Sequence, residues 1–93
     1  MALVVRPREG REKVYLDALR EELRKRGIIC KELTQDVSVT YGSFTINLKE
    51  GTYIISSQTK PEVVELIGIE LKNKGYNVLY LDALTLTLYI LSQ

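Results

Sequence analysis

Two kinds of apolar spacing alternate along this chain, and they divide it into two helices and a set of short strands. Between residues 12 and 26, Tyr15, Leu16, Leu19 and Leu23 recur at three- and four-residue intervals, while Lys13, Asp17, Arg20, Glu21 and Arg24 fall elsewhere on the wheel. That period predicts an amphipathic helix. Gly27 supplies a left-handed cap and Ile28 the apolar contact that follows it. The basic turn Arg24-Lys25-Arg26 stands where the helix dipole favours cations, and Glu21 with Lys25 and Glu22 with Arg26 are spaced for i,i+4 ion pairs. A second helix is predicted from a capping-box start at Thr59, with Pro61 and Glu62 behind it, to Lys74. Val63, Val64, Ile67 and Leu71 form its inward stripe, and Gly75 and Tyr76 repeat the ending.

The period changes to two between the helices. Val37, Val39 and Tyr41 alternate with Ser38 and Thr40, Gly42-Ser43 interrupts, and Phe44, Ile46 and Leu48 alternate with Thr45 and Asn47. This predicts a two-residue hairpin with a type II′ turn, for which Gly is the preferred first residue. Pairing Tyr41 with Phe44, Val39 with Ile46 and Val37 with Leu48 puts all six on one face. A second tight turn at Glu50-Gly51 is expected to continue the meander, with Tyr53 opposite Leu48 and Ile55 opposite Ile46. Further strands are read at Val78 to Leu81 and, after a turn at Asp82-Ala83, at Leu84 to Leu91. Residues 2–6 add a short edge strand, and another surrounds Cys30.

The fold class is therefore α+β, as a single domain over residues 1–93. Two helices pack on one face of an antiparallel sheet built round a three-stranded meander, in the order (β)-α-(β)-β-β-β-α-β-β. There is a hint of internal repetition: Glu22-Leu23-Arg24-Lys25-Arg26-Gly27-Ile28 matches Glu70-Leu71-Lys72-Asn73-Lys74-Gly75-Tyr76, and Val37 to Thr40 echoes Leu84 to Thr87. Tyr15-Leu16-Asp17-Ala18-Leu19 also recurs as Tyr80-Leu81-Asp82-Ala83-Leu84, one copy assigned to a helix and the other to strands and a turn.

Composition narrows the partners. The chain is 45% apolar and 27% charged with a net charge of +1, so it has no global field for nucleic acid or an acidic membrane. Residues 1–33 nevertheless carry nine basic and six acidic side chains, net +3. Cys30 is the only cysteine, which rules out an intrachain disulfide and points to the cytoplasm. The apolar run from Val78 to Leu91 is broken by Asp82, Thr85 and Thr87 and is shorter than the roughly 20 residues of a membrane helix. The four apolar residues before Arg6 and Pro7 are too few for a signal peptide. A membrane is not among the expected partners.

The chemistry-bearing residues are few. With no histidine, neither a histidine-based triad nor a histidine zinc site can be built. Cys30 lies beside Ile28 and Ile29 and reads as a small buried residue. Asp17 reads as a solvated helix residue near Arg20, and Asp36 and Asp82 as turn residues. The glycines match neither a dinucleotide fingerprint nor a phosphate loop. Gly68, inside the second helix, reads as a point of close helix-to-sheet packing. No catalytic residues, metal ligands or cofactors are assigned.

Two binding readings remain. Leu84, Leu86, Leu88 and Ile90 alternate in a C-terminal strand without internal Lys or Pro to protect its edge, so pairing with a second copy would cover it and enlarge a small core. The expectation is a self-associating, homodimeric binding or assembly domain. The alternative is a nucleic-acid-binding module in which Arg8, Arg11, Arg20, Arg24 and Lys25 contact phosphates. The helix, three strands, helix order resembles several RNA-binding folds, in element order only, and residues 59–64 lack the basic cluster of double-stranded RNA binders.

The turn assignment has a direct test. Gly42→Val places a β-branched residue at a positive-φ position and is expected to destabilise the protein by about 1 kcal/mol or more. An unchanged thermal melt would reject the turn.

Overall fold

The computed structural model describes residues 2–7 and 10–81, apart from the side chains of Arg11, Tyr41 and Phe44. The elements run β1 (Ala2–Arg6), α1 (Gly10–Lys25), β2 (Ile29–Glu32), β3 (Val37–Tyr41), β4 (Phe44–Leu48), β5 (Tyr53–Ser56), α2 (Pro61–Asn73) and β6 (Asn77–Leu81). Helix positions, the hairpin and the overall α+β order follow the apolar periodicity. The expected strand at Leu84 to Leu91 and the turn at Asp82-Ala83 lie outside the described residues. Among the described residues no helix is long and apolar enough to cross a membrane.

Strand pairing departs from the expected meander. β3 and β4 form a separate two-stranded sheet, and β5 leaves them to join a four-stranded sheet of order β2-β5-β1-β6. Tyr53 and Ile55 therefore lie opposite Val5 and Leu3 on one side and Glu32 and Cys30 on the other, and they do not face Leu48 and Ile46. The physical reason is burial on both faces. All four residues of β5 are buried, as are Ala2, Leu3 and Val5 of β1. A strand that is apolar on both faces must lie in the interior of a sheet covered on both sides. β1 is for the same reason central, flanked by β5 and β6, where the sequence suggested an edge.

Every neighbouring pair in the large sheet is antiparallel, so β1 runs parallel to β2 across β5, and β5 parallel to β6 across β1. Each helix thus connects two parallel strands separated by a third. Two such split βαβ units, β1-α1-β2 and β5-α2-β6, interleave in the arrangement called ferredoxin-like. The matching segments Glu22 to Ile28 and Glu70 to Tyr76 occupy the same place in each unit, at the helix end leading into its last strand. Gly27 and Gly75 have φ of +76° and +95° there, and the amides of Ile28 and Tyr76 close back onto the carbonyls of Leu23 and Leu71. This is the Schellman closure expected of Gly at that position.

The layers follow from strand alternation. Leu3, Val5, Tyr53 and Ile55 face the helices and pack with Leu16, Leu23, Ile28, Val64, Ile67 and Leu71. Ala2 and Ile54 face the other way and are covered by Val39 and Leu48 of the hairpin, with Val37, Ile46, Ile29 and Leu81 around them. The β3-β4 hairpin is thus a third layer, laid by its apolar face on the side of the sheet that the helices leave open. Its register is the expected one, Val37↔Leu48, Val39↔Ile46 and Tyr41↔Phe44. Ser38 Oγ donates to Asn47 Oδ1 at 2.7 Å, and the Thr40 and Thr45 hydroxyls meet at 3.1 Å, on the outer face. Gly42 has φ +53° and Ser43 has no positive φ, as a type II′ turn requires.

Two local expectations change. Gly51 does take a positive φ of +85°, but its turn delivers β5 beside β2, with Gly51 N–H and Leu33 N–H bonded across to Leu33 O and Thr52 O. The second helix is not capped by Thr59. Pro61 begins it after Lys60, whose amide donates to Ser57 Oγ at 3.0 Å.

Gly68 does mark a close approach. A Cβ built there would lie 2.5 Å from Tyr80 Oη and 2.8 Å from two of its ring carbons. Gly68→Ala is expected to destabilise the fold although alanine favours a helix interior by about 1 kcal/mol. In a Tyr80→Ala background the same substitution should instead stabilise by up to about 1 kcal/mol, which a double-mutant cycle of thermal melts measures. Equal effects in both backgrounds would reject the contact.

Candidate functional site

The densest polar cluster joins α1 to the β2-β5 pair. Tyr53 is fully buried, but its position opposite Glu32 aims its hydroxyl at the first turns of α1. It donates to Asp17 Oδ1 at 2.5 Å and accepts from Lys13 Nζ at 3.0 Å. Lys13 also donates to both Glu32 oxygens, at 2.6 and 2.8 Å, and stands 3.6 Å from Asp17. Arg20 closes the row, 3.5 Å from Asp17. Two carboxylates, two cations and one phenol thus satisfy one another.

The electrostatics agree with a closed network. The Tyr53 hydrogen bond, ahead of the Lys13 and Arg20 charges, holds the Asp17 carboxyl below the ordinary carboxylate range. The Glu32 carboxylate and then the Tyr53 oxygen raise the Lys13 ammonium. Burial first, and the bond to Asp17 second, push the Tyr53 phenol from 10.0 up to about 12. The Tyr53 hydroxyl thus uses its proton on Asp17 and accepts from Lys13, joining helix to sheet through one oxygen. The cluster fastens α1 to the sheet.

Sequence reasoning read Asp17 as a solvated helix residue and did not find this cluster. Its members come from α1, β2 and β5, and only the α1 residues Lys13, Asp17 and Arg20 share a local spacing, so Glu32 and Tyr53 reach them only through the fold. The run Tyr53-Ile54-Ile55 was the available signal, since an unbroken apolar stretch marks a strand buried on both faces.

The residues singled out for nucleic acid are placed along α1. Arg8 lies outside the described residues, and Arg11 is on the first turn of the helix. Arg20 is tied to Asp17. Arg24 and Lys25 are exposed, but Arg24 lies 3.2 Å from Glu21 and Lys25 3.9 Å from Glu22. These are i,i+3 pairs rather than the expected i,i+4 ones, and each places an acid beside a candidate phosphate contact. Leu84, Leu86, Leu88 and Ile90 lie outside the described residues. Asp36 keeps its turn role: Glu50 N–H donates to it at 2.9 Å, and that bond lowers its carboxyl pKa.

Among the described residues, two surfaces lie at the outer strands of the sheet. Along β2, a groove of about 520 Å³ runs between the strand and α1, lined by Arg20, Arg24, Ile28, Ile29, Cys30 and Lys31. Cys30 is half-buried in it, and burial raises its thiol to about 11, so it stays protonated and unreactive near neutral pH. Along β6, Leu79 is 50% exposed beside Val4, in a shallow depression of about 250 Å³ completed by Arg6, Asn77 and Val78. Among the described residues no group of His, Cys, Asp and Glu is placed to hold a metal ion.

Comparison with protein-family models, curated proteins and solved structures finds no match for this chain. Its functional reading therefore rests on these surfaces.

The cluster makes a pH-dependent prediction. Tyr53 has a folded pKa above its unfolded one, so its contribution is complete below about pH 10 and is lost as pH rises toward 12. Lys13 is shifted in the same direction. Asp17, shifted down, contributes above the ordinary carboxylate range and loses that contribution as pH falls below it. Tyr53→Phe is expected to cost about 1–2 kcal/mol near neutral pH. Denaturant melts of the two proteins should converge between pH 10 and 12, and a constant difference over that interval would contradict the assignment.

Proposed function

We propose that this chain is a small self-associating domain, a homodimer that serves as a binding or assembly module. The observation that carries the reading is the β6 edge. Among the described residues β6 has one strand neighbour, β1, and it pairs Leu79 with Val4 on the face that the hairpin covers elsewhere. Leu81, two residues on, is packed into the hairpin cluster, whereas Leu79 is half-exposed. The hairpin cover therefore stops short of this edge. A free strand edge carrying an apolar side chain beside it invites another strand.

A twofold pairing along this edge would continue the sheet from one copy into the next and shelter Leu79 and Val4. It would also enlarge the core of a chain whose length limits the surface it can bury alone. The sequence that follows supports the same reading, since Leu84, Leu86, Leu88 and Ile90 alternate with Thr85 and Thr87 immediately after β6. A single unpaired thiol fits a reducing compartment, so the proposal places the protein in the cytoplasm.

The nucleic-acid alternative has weaker support. Arg20, Arg24 and Lys25 each face an acid on the same helix, so the basic third presents alternating charge rather than a phosphate track.

Light scattering at micromolar concentration tests the proposal. The unmodified chain is expected to have the mass of a dimer, and Leu79→Lys to be a folded monomer. A folded monomer for the unmodified chain would overturn it.

A further inference from the structure

We infer that the outward face of α2 is a docking site for a basic amphipathic helix of a partner protein. The buried side of α2 is Val64, Ile67, Gly68 and Leu71. Leu66 and Ile69, three positions apart on the opposite side, are 65% and 47% exposed. Residues at that spacing are neighbours on a helix surface, so the two form one apolar spot at the middle of α2. A helix lying on a sheet ordinarily turns charged and polar side chains to water at such positions.

Glutamates surround the spot. Glu62 stands one turn before Leu66, Glu65 one turn before Ile69, and Glu70 one turn after Leu66, all of them exposed. Among the described residues no cation lies within ion-pair distance of any of the three, whereas Glu21 and Glu22 of α1 are paired with Arg24 and Lys25. The lysines at the two ends of α2 are directed elsewhere. Lys60 Nζ donates to the Arg26 carbonyl at 3.0 Å, Lys72 Nζ lies 4.7 Å from the centre of the Tyr80 ring, and Lys74 Nζ lies 4.9 Å from that of Tyr15. The face thus keeps unneutralised negative charge around an apolar centre.

The occupant follows from that arrangement. A helix with an apolar stripe flanked by Lys or Arg would cover Leu66 and Ile69 and bring a cation to each glutamate. Helix on helix is the contact that a ridge of side chains at three- and four-residue spacing favours. Nucleic acid and anionic membranes carry the wrong sign of charge for this face. A second copy joined twofold through α2 would set the glutamates against their own counterparts, which repel. The inference is independent of the self-association reading, because α2 lies on the helix side of the sheet and Leu79, opposite Val4, on the hairpin side.

The probe is a peptide of about 14 residues, four turns of helix, with Leu along one face and Lys elsewhere, and its Leu-Glu counterpart is the control. Binding is followed by fluorescence anisotropy and located by amide chemical shifts. The Leu-Lys peptide is expected to bind the full chain and to shift the amides of α2, leaving those of Arg24 and Lys25 unchanged. Glu62→Gln, Glu65→Gln and Glu70→Gln together should weaken it about tenfold, and so should Leu66→Gln with Ile69→Gln. All five residues are exposed, so helicity by circular dichroism should be retained. The inference is overturned if the Leu-Lys peptide fails to bind at low salt, if the Leu-Glu peptide binds equally well, if the shifts fall outside α2, or if either set of substitutions leaves the affinity unchanged. A lower mass in light scattering for the Leu66→Gln, Ile69→Gln protein than for the unmodified chain would assign the face to a second copy and also overturn it.

Discussion

The pairing of β1 with β5 is the constraint on which the rest of the structure depends. Ala2, Leu3, Val5 and all of Tyr53 to Ser56 are buried, and the two strands lie side by side at the centre of the sheet. Neither strand has a polar face to offer to water, so both sides of the sheet must be covered. The helices cover one side, and covering the other is the task of the β3-β4 hairpin. The interleaved connections follow from the same fact, because each central strand is also the start of a βαβ unit whose last strand lies on the far side of the other.

The hairpin is thereby more than a decoration between β2 and β5. Its Val39 and Leu48 close a second small core over Ala2 and Ile54, and its outer face carries only polar cross-strand pairs. A chain of 93 residues gains a second buried layer in this way. The cover is incomplete on the β6 side, where Leu79 stays half-exposed, and that incompleteness gives the self-association reading its physical basis.

Charge in this protein is arranged in pairs. Lys13, Asp17, Glu32 and Tyr53 lock the start of α1 to the sheet, and the exposed end of the same helix balances Arg24 with Glu21 and Lys25 with Glu22. Only Tyr53 of this network is buried, and the partly exposed charges around its hydroxyl join the helix to the sheet. The surfaces left over among the described residues are strand edges, β2 beside the α1 groove and β6 beside the half-exposed Leu79.

Local periodicity was enough to determine the two helices, the Gly42 hairpin with its register and the glycine caps. All of these depend on residues within a few positions of one another, where the spacing of apolar side chains and the φ freedom of glycine act directly. The expected meander failed because the turn at Gly51 is local while the choice of partner for Tyr53 is not. Two-sided burial, visible afterwards in the runs Ala2 to Val5 and Tyr53 to Ile55, outweighed the nearer strand. The Lys13 cluster was hidden for a related reason, since β2 and β5 bring Glu32 and Tyr53 to α1 only once the sheet has formed. The dipeptide Tyr-Leu makes the point in miniature: at 15–16 it lies in α1 and at 80–81 in β6. Sequence determined which faces must be buried, and only the tertiary structure decided against what, because burial rewards contact with any apolar surface and the choice among such surfaces is made by the whole chain at once.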